Sequence, residues 1–201
     1  MAKIKMIFFD FDGVLAFGGF SKFLPKISKM SGRSVNELEA LIYRNVFPEL
    51  TAGRISDKEY WEKVIELLSL QKKFKNWKQI DALFFTTFTL NKKLVAFAKK
   101  LKLKRIILSN SNKRWFKLRL KLLHLTGLFK GILSSEIGIN KNEKGFFEKV
   151  LPKLRLKPQE CVLIDDLERN LVPARELGIH TILFKNNAQA ISDLKKVLLE
   201  K

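Results

Sequence analysis

The sequence predicts an α/β fold, a parallel sheet core with a helical cap inserted after its first strand. Three observations carry this reading. Five short apolar runs recur along the chain: "IKMIFFD" at 4–10, "RIILS" at 105–109, "GILSS" at 131–135, "CVLID" at 161–165 and "HTILF" at 180–184. Amphipathic stretches separate the last four. Residues 16–90 break the alternation and carry helical patterns alone.

Each apolar run is too short for a buried helix and rich in β-branched or aromatic residues, the mark of a strand buried on both faces. The first drives Ile4, Met6, Ile7, Phe8 and Phe9 inward and ends on Asp10, Phe11, Asp12 and Gly13. In the insertion, Ser34 with Glu37 and Ser56 with Glu59 form two capping-box patterns. Val35, Leu38, Leu41 and Ile42 follow the first box at helical spacing, and Tyr60, Val64, Leu67 and Leu68 follow the second. Phe74, Trp77, Ile80, Leu83 and Phe84 predict a third helix. Beyond the second strand, helices are expected over 113–125, closed by Gly127, over 145–155, and over 169–177, closed by Gly178. Strands alternating with helices require right-handed crossovers and a parallel sheet. Chemistry in such sheets collects beyond the C-terminal strand ends, where Asp10, Ser109 and Asp165 are expected. An insertion after the first strand projects over those ends.

A chain of 201 residues, 46% hydrophobic and 29% charged, suits one buried core with a small insert. The single cysteine, Cys161, excludes an internal disulfide and reads as a packing residue. No run reaches the ~18–20 apolar residues of a membrane span. Asp10 cuts the first run too short for a signal peptide, so a cytoplasmic location is expected. The net charge is +19, supplied mostly by lysine. Between Ala82 and Ser135 there is no acidic residue, but there are thirteen lysines and arginines. Such a block favours anionic partners, although a solvated basic face is the simpler reading. No nucleic-acid motif accompanies it, and aromatic residues do not interleave with it as on single-strand platforms.

Four carboxylates converge in this layout: Asp10 and Asp12 after the first strand, Asp165 and Asp166 after the "CVLI" strand. One like-charge pair at ~4 Å costs about 4 kcal/mol at an effective dielectric near 20. Several would consume most of the ~5–15 kcal/mol by which a domain is stable. A divalent cation removes the conflict. Hard oxygen donors without His or Cys point to Mg²⁺.

These segments together resemble the haloacid dehalogenase superfamily of aspartate-nucleophile phosphohydrolases. "DFDGVL" is similar to its first motif, "ILSNSN" to its second, "EIGINKNEKGFFEKVL" to its third and "CVLIDDLERN" to its acidic fourth. The resemblance implies a three-layer Rossmann-like core over 1–15 and 91–201 with a helical cap over 16–90. It implies that Asp10 attacks phosphorus and forms an aspartyl phosphate, and that Asp12 protonates the leaving oxygen and then activates water. Mg²⁺ would be held by Asp10, the Asp12 carbonyl and Asp166, with Asp165 in support. Ser109 and the Asn110 backbone would hold a phosphoryl oxygen, and Lys141 would offset charge on both partners.

The family's third motif carries proline directly after its lysine. Here Asn142 follows Lys141, which leaves Lys144 as a rival, and either aspartate of the "DD" pair could be the direct ligand. Asp12 argues for phosphate ester hydrolysis, since the superfamily's dehalogenases lack a second acid there. The cap segment "ELTAGRISDKEYWEKV" resembles that of sugar-phosphate phosphatases and of the phosphatase domain fused to epoxide hydrolases. The expected activity is Mg²⁺-dependent hydrolysis of a small phosphorylated metabolite, with a sugar phosphate one such substrate. A phosphomutase or phosphotransferase using the same intermediate, and a basic nucleic-acid-associated protein, are the alternatives. Neither His124 nor His180 sits in a partner motif, Trp61, Trp77 and Trp115 read as packing residues, and Arg44 and Arg54 could read a substrate anion.

Overall fold

The computed structural model of the protein describes residues 3–199. Five strands, β1 (Met6–Phe9), β4 (Lys104–Ser109), β5 (Lys130–Leu133), β6 (Cys161–Asp165) and β7 (His180–Leu183), form one sheet in the order β5-β4-β1-β6-β7. Every pairing in it is parallel. The remaining strands, β2 (Ala16–Phe17) and β3 (Thr89–Leu90), pair antiparallel and close the stem of the insertion.

Alternation along β1 and β6 builds the layers. Ile7, Phe9, Val162 and Ile164 pack into the larger apolar cluster, while Met6, Phe8, Cys161 and Leu163 pack into a second one. Successive side chains point to opposite sheet faces, so helices cover both. Between β2 and β3 lie α1 (Phe20–Ser31), α2 (Val35–Leu38), α3 (Phe47–Thr51), α4 (Asp57–Leu67) and α5 (Trp77–Phe85). Around the sheet lie α6 (Lys92–Lys100), α7 (Lys113–Leu122), α8 (Ser134–Ile137), α9 (Phe146–Leu154), α10 (Glu168–Glu176) and α11 (Asn187–Leu199).

Both capping boxes form, with Ser34 and Ser56 accepting from the amides of Glu37 and Glu59. The first box does not open one regular helix. After α2 the chain runs as a π-helix from Glu39 to Val46 before α3 begins. Five helices lie outside the sequence-based expectation: the longer α1, α6 and α11, and the short α3 and α8, the last of which begins at Ser134, where the strand is expected to run on. In α1, Gly18 and Gly19 precede a segment that contains Pro25, all three residues normally read as breakers. Its buried Phe23, Leu24 and Ile27 nevertheless hold it against the core.

The lysines of the basic block are all exposed, on α6, on α7, at Lys102 in the loop before β4 and at the first positions of β4 and β5. Its arginines behave differently. Arg114 pairs with Asp81 and Asp57 and lies over Trp77 and Phe85. Arg119 is buried, as are Trp61 and Trp115. The insertion is tied to the core by three further contacts: Asn112 donates to Asp57 Oδ1 at 2.6 Å, Thr51 to Asn140 Oδ1 at 2.7 Å and Arg169 to the Tyr43 hydroxyl at 2.9 Å. Among the described residues, no helix is long and apolar enough to cross a membrane.

Cys161 opens β6 with no exposed surface. Burial, helped by the Glu160 carboxylate, pushes its thiol up to about 12. Only the thiolate is nucleophilic, so the folded protein should not consume a thiol reagent at pH 8, and one equivalent should react once urea unfolds it. Stoichiometric labelling of the native chain would contradict this packing.

Candidate active site

Strands β4, β1 and β6 are neighbours, and their parallel course brings their C-terminal ends to one edge. Asp10 leaves β1 there with its amide bonded to the Ile164 carbonyl at 2.8 Å. Ser109 ends β4 and Asp165 ends β6. Oxygen atoms of Asp10, Asp165 and Asp166 lie within 4.8 Å of one another.

The loop between α8 and α9 drives Lys141 into this group. Its ammonium is buried, bonds Asp10 Oδ1, and donates to Asp165 Oδ2 at 2.6 Å and to the Leu108 carbonyl at 3.0 Å. Lys144 is exposed. The Lys141 amide donates to Asn110 Oδ1 at 2.8 Å, so the Asn110 side chain anchors the loop. Asp165 Oδ1 accepts from the Leu167 amide and from Asn170, both at 2.9 Å. Its oxygens are therefore filled by protein donors, whereas Asp166 Oδ1 is buried with no partner.

The electrostatics follow from burial. Loss of water raises the Asp10 carboxyl well above its usual range, against the pull of Lys141, and the nearby Asp165, Asp166 and Asp12 raise it further. Burial, followed by the Asp165 charge, pushes Asp166 up to about 6. Burial would depress the Lys141 ammonium, but Asp10 and Asp165 outweigh it and hold it above the usual lysine range. The site therefore contains more carboxylate than one ammonium can balance. All-oxygen donors, one of them orphaned, fit a hard divalent ion such as Mg²⁺. Gly13 leaves the necessary space. At φ +85°, a Cβ there would stand 2.1 Å from Asp166 Oδ2, so only glycine allows the turn and the carboxylate together.

Three of the four expected carboxylates group together, and the Asp12 side chain stands apart from them. Its Oδ2 pairs with Arg119, a residue that sequence reasoning missed. The guanidinium is 1% exposed, donates to Ser111 Oγ at 2.6 Å and to the Trp115 carbonyl at 3.3 Å, and lies 4.8 Å from the Phe11 ring centroid. A signal was present in the sequence. Arg119 falls in register with Trp115, Phe116, Leu120 and Leu123, the buried stripe of α7, where a charge needs a reason. The remaining Asp12 oxygen, Oδ1, is buried without a partner.

Asp10, Asp12, Ser109, Asn110, Lys141 and Asp166 all line one cavity of about 800 Å³ beneath the insertion. Arg44 reaches it too, paired with Glu39 at 3.1 Å, while Arg54 pairs with Glu49.

A family model for haloacid dehalogenase-like (HAD) hydrolases matches residues 4–178. The chain belongs to this family. Its five-stranded parallel core with inserted helices fits that membership. Rat bifunctional epoxide hydrolase 2 is 42% identical over 66 residues, which are 33% of this chain and 12% of the relative's length. A predicted HAD-like family hydrolase from Porphyromonas gingivalis superposes with a TM-score of 0.82 over 100% of both chains, at 22% identity. A HAD family enzyme from Bacteroides thetaiotaomicron, solved in complex with magnesium and inorganic phosphate, reaches a TM-score of 0.75 at 26% identity, covering 90% of this chain and 94% of that one.

Removing Asp12 should lower stability, whereas removing Asp166 should not. Asp12→Ala strands a buried guanidinium and should cost about 1–3 kcal/mol. Asp166→Ala removes a desolvated, repelled carboxyl and should leave stability equal or higher in chelator. Urea midpoints in EDTA check this, and a common direction for both variants would refute it.

Proposed function

We propose that the protein is a magnesium-dependent phosphatase that hydrolyses a small phosphorylated metabolite through an aspartyl phosphate on Asp10. One observation carries the reading: Asp10 is buried between Lys141 and further carboxylates on the lining of a cavity beneath the insertion, with a second acid, Asp12, held two residues away. The magnesium-and-phosphate complex of the Bacteroides thetaiotaomicron enzyme supports it.

In this reading Asp10 attacks phosphorus as the ester P–O bond breaks. Asp12 gives its proton to the departing alkoxide, and the unpartnered Oδ1 is the oxygen free to carry that proton. Water then attacks the phosphorus of the aspartyl phosphate while Asp12 takes a proton back. Phosphate leaves and the Asp10 carboxylate is restored. Arg119 keeps Asp12 turned away from the crowded acids between these events. Lys141, held by Asp165 and by the Asn110 side chain, stabilises negative charge around the nucleophile and the transferring group. Ser109 supplies a hydroxyl to a phosphoryl oxygen.

Asp10, the Asp12 carbonyl and Asp166 would hold Mg²⁺, with Asp165 fixing Lys141 instead of contacting the ion. When bound, the ion would neutralise phosphoryl charge and align the ester with the nucleophile. Residues 1–15 and 91–201 act as the core, and residues 16–90 as the cap that closes over the ester.

Hydrolysis of p-nitrophenyl phosphate should require Mg²⁺ and disappear with EDTA. Asp10→Asn should fall to background, and Asp12→Asn should lose about 10²–10⁴-fold in kcat on an alkyl phosphate. Turnover that survives in Asp10→Asn would refute the covalent route.

A further inference from the structure

The cavity is much larger than a phosphoryl group, and its two ends differ in chemistry. Its floor is polar, formed by the Asp10 and Lys141 group. Its cap wall is built of rings. Phe20 meets Tyr43 and Phe47 edge-on at centroid distances of 5.0 and 4.8 Å, Tyr43 and Phe47 stack at 5.5 Å, and Phe84 stands 5.1 Å from Phe20. All four line the cavity, with Leu24 and Val35 beside them.

The π-helix helps to set this wall. It spans Glu39–Val46 and continues into a bond from the Phe47 amide to the Ile42 carbonyl, five residues back. A widened turn is rare and usually marks a functional position. Here its register pairs Glu39 with Arg44, five apart, and turns Tyr43 and Phe47 together toward the cavity.

Polar groups on the same wall are already engaged. The Tyr43 hydroxyl accepts from Arg169 at 2.9 Å. Thr51 donates to Asn140 at 2.7 Å and Ser21 to the Gly18 carbonyl at 2.9 Å, while Glu39 and Arg44 pair with each other where their side chains meet solvent. A polyol buried against this wall would lose its water without gaining matched partners, a loss that costs affinity. An aromatic body would gain apolar burial and ring contacts.

We infer that the cap wall selects phosphate monoesters whose alcohol carries an aromatic, apolar body, and disfavours sugar and polyol phosphates. This rests on the phosphatase reading above. The test compares primary alkyl phosphates, so that leaving-group chemistry is matched: 2-phenylethyl phosphate against glycerol 3-phosphate and glucose 6-phosphate, all with Mg²⁺. The expected kcat/KM ratio is about tenfold or more in favour of the phenylethyl ester, and Phe47→Ala should shrink it. Equal rates, or a preference for either polyol ester, would overturn the inference while leaving the phosphatase reading intact.

Binding supplies a second readout that does not depend on turnover or on the folding of the variant. Calorimetry on the wild-type protein with Mg²⁺ should find 3-phenylpropylphosphonate about tenfold tighter than 3,4-dihydroxybutylphosphonate. If no monoester is hydrolysed, the phosphatase reading fails, and this comparison alone decides the cavity's preference. Equal binding of the two phosphonates would overturn it.

Discussion

The buried ammonium of Lys141 is the contact on which the site depends. It joins Asp10 at the end of β1 to Asp165 at the end of β6 and reaches the Leu108 carbonyl on β4. Three adjacent strands are thus fastened at their chemically active ends by one side chain. Taking such a charge out of water costs several kcal/mol, and that cost is offset only while both carboxylates stay ionised beside it. In the proposed reaction, the same contact would position Asp10 as the nucleophile. The third-motif loop, which carries Asn142 rather than proline after the lysine, is held by the Asn110 side chain.

A second cation organises the other acid. Asp10 and Asp12 lie two residues apart, yet each has its own counter-charge: Lys141 from the loop before α9, and Arg119 from the buried face of α7. The chain thereby keeps two carboxylates, the proposed nucleophile and proton carrier, close without forcing them to repel each other directly. Asp166 is left without such a partner, and this asymmetry is what gives the carboxylate group room for a divalent ion.

Much of this was legible in the sequence because the information was local. The alternation of apolar runs and amphipathic stretches gave the sheet, and four short motifs brought Asp10, Ser109, Lys141 and Asp165 to one edge. The spacing to Phe147 favours Lys141 over Lys144, and the inward turn of that side chain, a matter of tertiary packing, agrees with it. Arg119 was hidden among exposed lysines of the same charge, although its register on the α7 stripe distinguished it. Helix α1 was hidden by Gly18, Gly19 and Pro25, whose local preferences are overridden by burial of Phe23, Leu24 and Ile27. The π-helix had no signature at all. Its widened turn, closed by bonds from an amide to the carbonyl five residues back, is not registered by periodicity counts.

The placement of charge has a consequence for encounter kinetics. Asp10, Asp165 and Asp81 are buried, while the block's lysines all stand in solvent on a chain of net charge +19. A dianionic ester of the proposed kind would be drawn toward the molecule before meeting the cavity. Such attraction raises capture rates in dilute buffer and fades as ionic strength approaches that of a cell.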